Sequence, residues 1–336
     1  MKKLQLYFSI SILFILYSLT IFADKVAPYD PIEQNPMAGY ASPHKIHIDK
    51  NGLYIFAQKY LTNQETYKKE SLNTDKKYYL QFFTKNNLGE FKILSLKKEA
   101  KDNTHIYLFG ADQLGRDLLS RIIHGAKPSL TIGFLGLIII FPIGVLYGAI
   151  SAYSGALIDN IMMRIAEAIM SFPSFYLLII LASLLPASLS NSERFALITL
   201  ILSFTSWAGL SRVIRGMLLS IKSENYVISA ELMGDKSINI INKHLIPQTF
   251  SYLIVAGTLA VPGFIIGESA LSFLGFGINQ PDPSWGNILS EAKELSNIIT
   301  KPILLILPSS LIFLSVYSYN VIGDYLRDKF DPRNKL

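Results

Sequence analysis

Long uncharged runs alternate with short charged breaks along this chain, and that alternation predicts most of its architecture. Leu4–Ala23, Ser129–Ser151, Ala168–Ser192, Phe195–Ser211, Thr249–Gly267 and Pro302–Gly323 contain no Asp, Glu, Lys, Arg or His. At about 1.5 Å rise per residue, helical runs of roughly 17 to 25 residues span or nearly span a hydrocarbon core of about 30 Å. Six transmembrane helices are expected. Between the first two runs the period changes. Within Ile46–Lys101, the stretches LYIFAQKYL, KKYYLQFFTK and EFKILSLKK alternate apolar with polar residues and are separated by Asn-, Gly- and Asp-rich breaks. Period-two alternation between turn residues predicts a small antiparallel β domain, with a hairpin around KNNLGE and with its Tyr and Phe residues serving as core. The Pro-rich Asp24–Pro43 reads as a strap along the membrane surface.

Charge orients the spans. The loop Ser211–Gln248 carries Arg212, Arg215, Lys222, Lys236 and Lys243, the start carries Lys2 and Lys3, and the tail carries Arg327, Lys329, Arg333 and Lys335. Positive charge flanking membrane helices marks the cytoplasmic side, so both termini and this loop are expected there. Residues 24–128, the Glu193 turn and residues 268–301 then lie outside. Arg116, Arg121 and Lys127 run against the rule, though they close a long segment, where the bias counts least. The apolar part of Met1–Ala23 exceeds the roughly 7–15 residues of a signal peptide, and DKVAPYDP offers no clean cleavage site, so an uncleaved first helix is expected. Orientation accounts for most of the net charge of +6, which leaves nucleic acid out as a partner.

The chemistry the chain lacks is as informative. With no cysteine, disulfides, zinc–thiolate sites and thiol catalysis are excluded. Gly110–Arg116, GADQLGR, has the glycine spacing of a phosphate loop, but Arg116 and Asp117 stand where Lys and Ser or Thr are required. The chain is therefore expected to bind no nucleotide, metal or other cofactor and to be no enzyme. Glu167, Glu193, Glu268 and Asp324 all fall at segment ends, where they are expected to meet water; no ionisable group sits within a span to couple an ion gradient. Energy, if any is used, is then expected from another subunit. Pro142, Pro173, Pro262 and Pro308 predict kinked helices. Gly133, Gly136, Gly144 and Gly148 permit close helix contacts, either within the chain or with a partner.

The basic loop reads YVISAELMGDKSINIINKHLIP, two short helical runs broken at Gly234 and Asp235. Gly234 suits a positive-φ break, and Pro247 suits the first turn of the fifth span. Such an elbow, fixed to a membrane helix, can be gripped by a soluble motor.

Four stretches together carry a specific resemblance: GADQLGRDLLSRIIHGAKPSLTIGF, DNIMMRIAEAIMSFPSF, GESALSFLGFGINQPDPSWGNIL and GDYLRDKFDPR. With IFADKVAPYDP near the start, the chain resembles the C-type permease subunit of bacterial dipeptide and oligopeptide ABC importers, from Leu108 to Arg333. The resemblance implies an all-α polytopic protein of the type I ABC importer permease kind. It would comprise a first transmembrane helix over 1–23, a β-rich extracytoplasmic insert over 24–107 and a permease core over 108–336, with a coupling loop at 212–248. It further implies a multi-pass place in the bacterial inner membrane. The implied partners are a homologous second permease, one or two ATPases that use ATP and Mg²⁺, an extracytoplasmic solute-binding protein, and membrane lipid. Asp112, Gly115, Arg116, Asp117, Glu268 and Trp285 belong to the family motifs outside the membrane. In the coupling loop the resemblance matches Gly234 and the HLIP of His244–Pro247. It places Ile228, Ser229 and Ala230 where Glu, Ala and Ala usually stand, so the signature glutamate is missing. Glu231, with Tyr226, is then one candidate for the polar grip on the ATPase, and docking through Ile228 is the other. Peptides are the expected cargo, with nickel complexes or peptide-like antibiotics as alternatives. The competing reading is a membrane-anchored sensing or binding module.

Overall fold

The computed structural model of the chain describes residues 2–62, 69–85, 91–96 and 105–330. Helix α1 (Lys2–Ile21) is followed by the single turn α2 (Ala23–Val26) and a 3₁₀ turn at Pro36–Ala38. Strands β1 (His47–Asp49), β2 (Gly52–Thr62), β3 (Lys69–Lys85) and β4 (Phe91–Leu96) form one sheet in sequence order, every pair antiparallel. Helices α3 (Leu118–Tyr153), α4 (Ala156–Ser171), α5 (Ser174–Ser183), α6 (Asn191–Lys222), α7 (Asn225–Leu232), α8 (Ser237–Ile240) and α9 (Phe250–Leu274) come next. The chain ends with α10 (Trp285–Ser290), α11 (Leu295–Thr300) and α12 (Ile303–Phe330).

Five helical runs among the described residues are long and apolar enough to cross a membrane: Lys3–Ile21, Leu118–Tyr153, Asn191–Lys222, Ser237–Leu274 and Ile303–Phe330. The remaining expected span, Ala168–Ser192, is not one helix. It is divided between α4 and α5, which meet at an angle of 81°. The cause is local. Pro173 has no N–H to donate and pushes the residue before it out of the helical region; Phe172 is accordingly extended, with ψ 134. The ten residues of α5 rise about 15 Å, half of a hydrocarbon core, so only the bent pair can serve as a sixth span. Its neighbour begins earlier than expected. Glu193 is not a bare turn residue but closes a capping box at the start of α6, its Oε2 accepting from the Ser190 N–H at 2.9 Å. Pro142, Pro262 and Pro308 lie inside α3, α9 and α12, which stay continuous.

Contacts group the chain into two compact units: residues 1–12, 130–271 and 314–336, and residues 13–129 with 272–313. In the first, α3 lies tightly against α9 and α6. A Cβ at Gly136 would fall 2.2 Å from the Phe264 ring, and one at Gly148 would fall 2.6 Å from the Ser211 carbonyl oxygen. The small residues of α3 thus serve contacts within the chain. In the second unit, Ile55 and Ala57 of β2, Tyr78 of β3 and Ile106 form a buried core, with Tyr29, Leu80 and Leu108 packed on it. The expectation that the aromatic residues of the insert are core holds for Tyr78 but not for Phe82 and Phe83, which are exposed. Lys85 pairs with Phe91 across β3 and β4; the expected KNNLGE turn itself falls outside the described residues, as do Arg333 and Lys335 of the tail.

Candidate functional site

Two constellations hold the residues singled out in the sequence, one in each unit. The first is the basic elbow. In α7, Val227 and Ala230 face inward and join a buried cluster with Val145, Ile214, Leu218 and Ile240. The opposite side is bare: Tyr226, Ile228, Ser229 and Glu231 are exposed, and beyond them Leu232 and Met233 are 83% and 80% exposed. Ala230, expected to stand in the signature, is thus a core residue. The helix ends through Gly234, at φ +79, with the Asp235 N–H donating to the Ala230 carbonyl at 3.1 Å and the Gly234 N–H to Glu231 at 3.0 Å. This is the left-handed closure that glycine makes without strain. Asn239 Nδ2 then donates to Asp235 Oδ1 at 3.0 Å, stiffening the turn.

Pro247 is not at the start of a span. The helical run that contains α9 already begins at Ser237, and Pro247 lies inside it, behind a π-turn at Ile241–Leu245 and within a 3₁₀ turn at Ile246–Thr249. The widened and tightened turns absorb the carbonyl that proline leaves without a donor. His244 is half-buried beside Tyr226, with ring centroids 6.1 Å apart. Glu231 is already engaged: its Oε1 accepts from the Tyr153 hydroxyl at 2.7 Å, and Lys222 Nζ lies 4.4 Å from the centroid of the same ring.

A clamp that the sequence reading missed lies close by in the fold. Arg215 of α6 makes a two-pronged ion pair with Asp159 of α4, its Nε donating to Oδ1 at 2.9 Å, and the Ser151 hydroxyl of α3 donates to the same Oδ1. Three helices are thereby joined through one carboxylate. In the sequence Arg215 registered only as positive charge; an acid opening one family-like stretch and a base late in a long helix was the available signal.

The second constellation explains ADQLGRD. Asp112 Oδ1 accepts from the N–H groups of Leu114 and Arg116, both at 2.9 Å, and its Oδ2 accepts from Arg116 Nε at 2.6 Å. Gly115, at φ +76, closes this turn, and a Cβ there would fall 1.9 Å from the Asn35 carbonyl oxygen. The next acid caps α3: Asp117 Oδ2 accepts from the Ser120 N–H at 2.8 Å and hydroxyl at 2.6 Å. The glycine spacing that imitates a phosphate loop is thus a turn and a helix cap, with Arg116 and Asp117 both buried.

Arg116 and Arg121 are neutralised from within. Arg116 Nη1 donates to Gln280 Oε1 at 2.6 Å, and its Nη2 lies 3.6 Å from Glu291 Oε1. Arg121 Nη2 donates to the same Gln280 oxygen at 2.9 Å, its Nη1 donates to the Pro281 and Pro31 carbonyls, and its Nε lies 3.2 Å from Asp112 Oδ2. Burial, reinforced by the nearby Asp112 charge, pushes the Glu291 carboxyl up to about 7, and burial pushes Asp117 up to about 6. Trp285, fully buried, donates from Nε1 to the Ile122 carbonyl at 3.1 Å. Asn287 donates to the Ile278 and Asp282 carbonyls, holding the preceding loop. Glu268 corrects an expectation: it is fully buried in α9 rather than water-facing. The Gln280 and Glu291 partners escaped sequence reading because they lie more than 150 positions from the arginines in the chain.

Residues 140–336 match the family model described as binding-protein-dependent transport system inner membrane component. The chain is 40% identical over 226 residues, covering 67% of it and 68% of the relative, to the dipeptide transport system permease protein DppC of Bacillus subtilis. It is 39% identical over 229 residues, 68% of the chain and 71% of the relative, to the oligopeptide transport system permease protein OppC of Haemophilus influenzae. With OppC of Escherichia coli K12 it shares 33% over 241 residues, 72% of the chain and 77% of the relative. An extended match to the family model and relatives matched across more than two thirds of their length show that this chain belongs to the binding-protein-dependent transport system inner membrane components.

Proposed function

We propose that this chain is one of two channel-forming subunits of an ATP-driven importer for peptides. It works beside a homologous permease, one or two ATPases that consume ATP with Mg²⁺, and an extracytoplasmic solute-binding protein, and it holds no cofactor itself. It lies in the bacterial inner membrane, in contact with lipid, with its termini and the α7 elbow on the cytoplasmic side. The observation that carries this reading is the elbow: one side is locked into the core of its own unit while Tyr226, Ile228, Leu232 and Met233 stand bare on the other. Large apolar side chains left exposed on a short helix mark a surface for a protein partner. With Glu231 held by Tyr153, Ile228 and its apolar neighbours, rather than a glutamate, make the principal grip. Movement of the ATPases would pass through the elbow into the helical run Ser237–Leu274, which begins just beyond its Gly234 turn. A membrane-anchored module is disfavoured, since an anchor needs one span. The names of the relatives support peptides over nickel complexes or peptide-like antibiotics as cargo.

The test is co-purification. Leu232→Asp combined with Met233→Asp places two charges on exposed positions, so folding is kept while the apolar patch is lost. The ATPase subunits should then fail to co-purify from the native membrane, and labelled tripeptide uptake should fall with them. Retention of the ATPases at wild-type stoichiometry would refute the assigned grip.

A further inference from the structure

Strand β4 is fastened where α1 leaves the membrane. Lys92 Nζ donates to the Asp24 and Ala27 carbonyls of the α2 turn, at 2.8 and 3.2 Å, and Asp24 is the first charged residue after the uncharged run Leu4–Ala23. Lys92 pairs with Thr84 of β3, so Phe83 and Phe82 lie one and two residues on, about 3 and 7 Å along the strand. These distances are comparable with the roughly 5–8 Å depth of a headgroup zone beside the hydrocarbon. The β1–β2 turn reaches the same end of the sheet. Asp49 pairs with Gly52 and Tyr54 with Tyr79, which sets Lys50 beside the segment from Gln81 to Phe83. This end presents apolar and basic groups to its surroundings: Ile48 and Phe83 are 78% and 69% exposed, and Phe82, Lys25 and Lys50 are exposed as well. Asp49 and Asp24, the acids at this end among the described residues, lie 3.4 Å from Lys77 and 3.1 Å from His124. The pleat carries Phe82 on from Tyr78 and Leu80, beyond the core they help to form. Phe83 sits at φ +56, a left-handed conformation that a bulky side chain rarely takes; such outliers cluster where a fold meets a ligand. The other large apolar side chain exposed on the described strands, Leu72, is roughly 34 Å away along β3.

We propose that the end of the β sheet beside α2 docks on the anionic lipid surface of the membrane, with Ile48, Phe82 and Phe83 set among the headgroups and Lys25 and Lys50 over the lipid phosphates. Apolar rings flanked by lysines are the composition that holds a surface segment at the lipid interface, apolar burial and attraction to anionic lipid acting together. The charge of the insert agrees: Ile46–Lys101 carries eleven lysines against six acidic residues, a surplus of its own beside that of the cytoplasmic segments. A soluble partner would reach the far end of the sheet, around Leu72, more freely than an end pinned beside a membrane helix. The proposal requires α1 to cross the membrane and is independent of the cargo.

The chain has no cysteine, so single labels can be placed in it. The whole transporter, carrying Phe82→Cys, Phe83→Cys or Leu72→Cys, is spin-labelled and reconstituted in vesicles of equal parts phosphatidylethanolamine and phosphatidylglycerol; the complex with the wild-type chain supplies the background from other subunits. Relaxation by oxygen, which concentrates in lipid, should dominate at Phe82→Cys and Phe83→Cys, and relaxation by a water-soluble nickel chelate should dominate at Leu72→Cys. Adding Lys50→Gln to the Phe83→Cys chain should lower the ratio of docked to free spectra about fivefold, the worth of one lysine at an anionic surface. Phosphatidylcholine in place of phosphatidylglycerol should lower it at least as much. If Phe83→Cys fails to assemble, Ile48→Cys carries the same readout. Nickel-dominated relaxation at Phe82→Cys and Phe83→Cys alike would overturn the docking. So would labels shielded from both reagents, which would place another membrane subunit there, labels immobilised only when the solute-binding protein is added, or a ratio indifferent to both Lys50→Gln and lipid charge. Phe14→Cys, within α1, is the control for the span: oxygen access there with nickel access at Phe83→Cys would defeat the docking alone, and nickel access at both would defeat the span with it.

Discussion

Replacing Arg116 by methionine tests whether the buried charges ahead of α3 act as one network. The side chain is 2% exposed and lies 2.6 Å from Asp112, 2.6 Å from Gln280 and 3.6 Å from Glu291. Methionine keeps most of the length and removes the charge, leaving Asp112 and Glu291 against Arg121 alone. Removing one partner from a buried ion pair costs about 3–5 kcal/mol, a large share of the roughly 5–15 kcal/mol that stabilises a folded protein. Asp112 is cushioned, because two backbone N–H groups and Arg121 still face it. Glu291 is not. With its carboxyl already held near 7, it should take up a proton when Arg116 is lost, so the destabilisation by Arg116→Met should be smaller on the acid side of pH 7 than on the alkaline side. Adding Glu291→Gln should recover part of the loss at alkaline pH. Thermal unfolding of the purified transporter, followed by protease sensitivity of residues 13–129, reads each of these. A single variant within about 1 kcal/mol of wild type, or a loss that neither pH nor Glu291→Gln relieves, would refute the network.

Gly115→Ala should be far more damaging than Gly234→Ala, although both glycines have positive φ: each incurs the roughly 1–2 kcal/mol of a left-handed residue, but only at 115 does the new Cβ strike backbone, 1.9 Å from the Asn35 oxygen, while at 234 it meets nothing within 4 Å. Equal melting temperatures for the two variants would contradict this. Glu291 also predicts a pH dependence. Its folded value is raised from 4.5 to about 7, so the stability it contributes is present in full below about 4.5 and is lost as pH rises through 7. His44, lowered from 6.5 to about 4 by burial, works in the opposite sense, costing stability as pH falls through that window. The stability of wild type relative to Glu291→Gln isolates the first effect and should increase on acidification from 7 to 4.5; a constant difference would rule it out.

The uncharged runs disclosed most of the membrane helices because a single physical requirement, burial of twenty or so apolar residues without charge, leaves an unbroken trace in sequence. Ala168–Ser192 meets that requirement by composition, but Pro173 breaks it by geometry, and its proline was legible while the 81° turn was not. The candidate elbow was visible in the same way, as a local pattern around Gly234. Its exposed side was not, since only packing decides that Ala230 turns inward and Ile228 outward. Arg116 and Arg121 stood out as charges that opposed the expected orientation; their pairing with Asp112 and Glu291 shows why they need not count as free positive charge. Asp112 was within reach, four residues from Arg116. Gln280 and Glu291 were not, because nothing in a single sequence marks which distant polar side chain completes a buried network.

Leu232 and Met233, bare at the tip of the elbow, also bear on the life of the chain before assembly. If the elbow faces the cytoplasm and meets an ATPase there, as proposed, a copy made in excess of that partner would carry an unshielded apolar patch into the cytoplasm. Such an orphan is a substrate for chaperones and proteases, so the abundance of the subunit would track that of the ATPase even without shared control of synthesis, and stoichiometry would be set by survival.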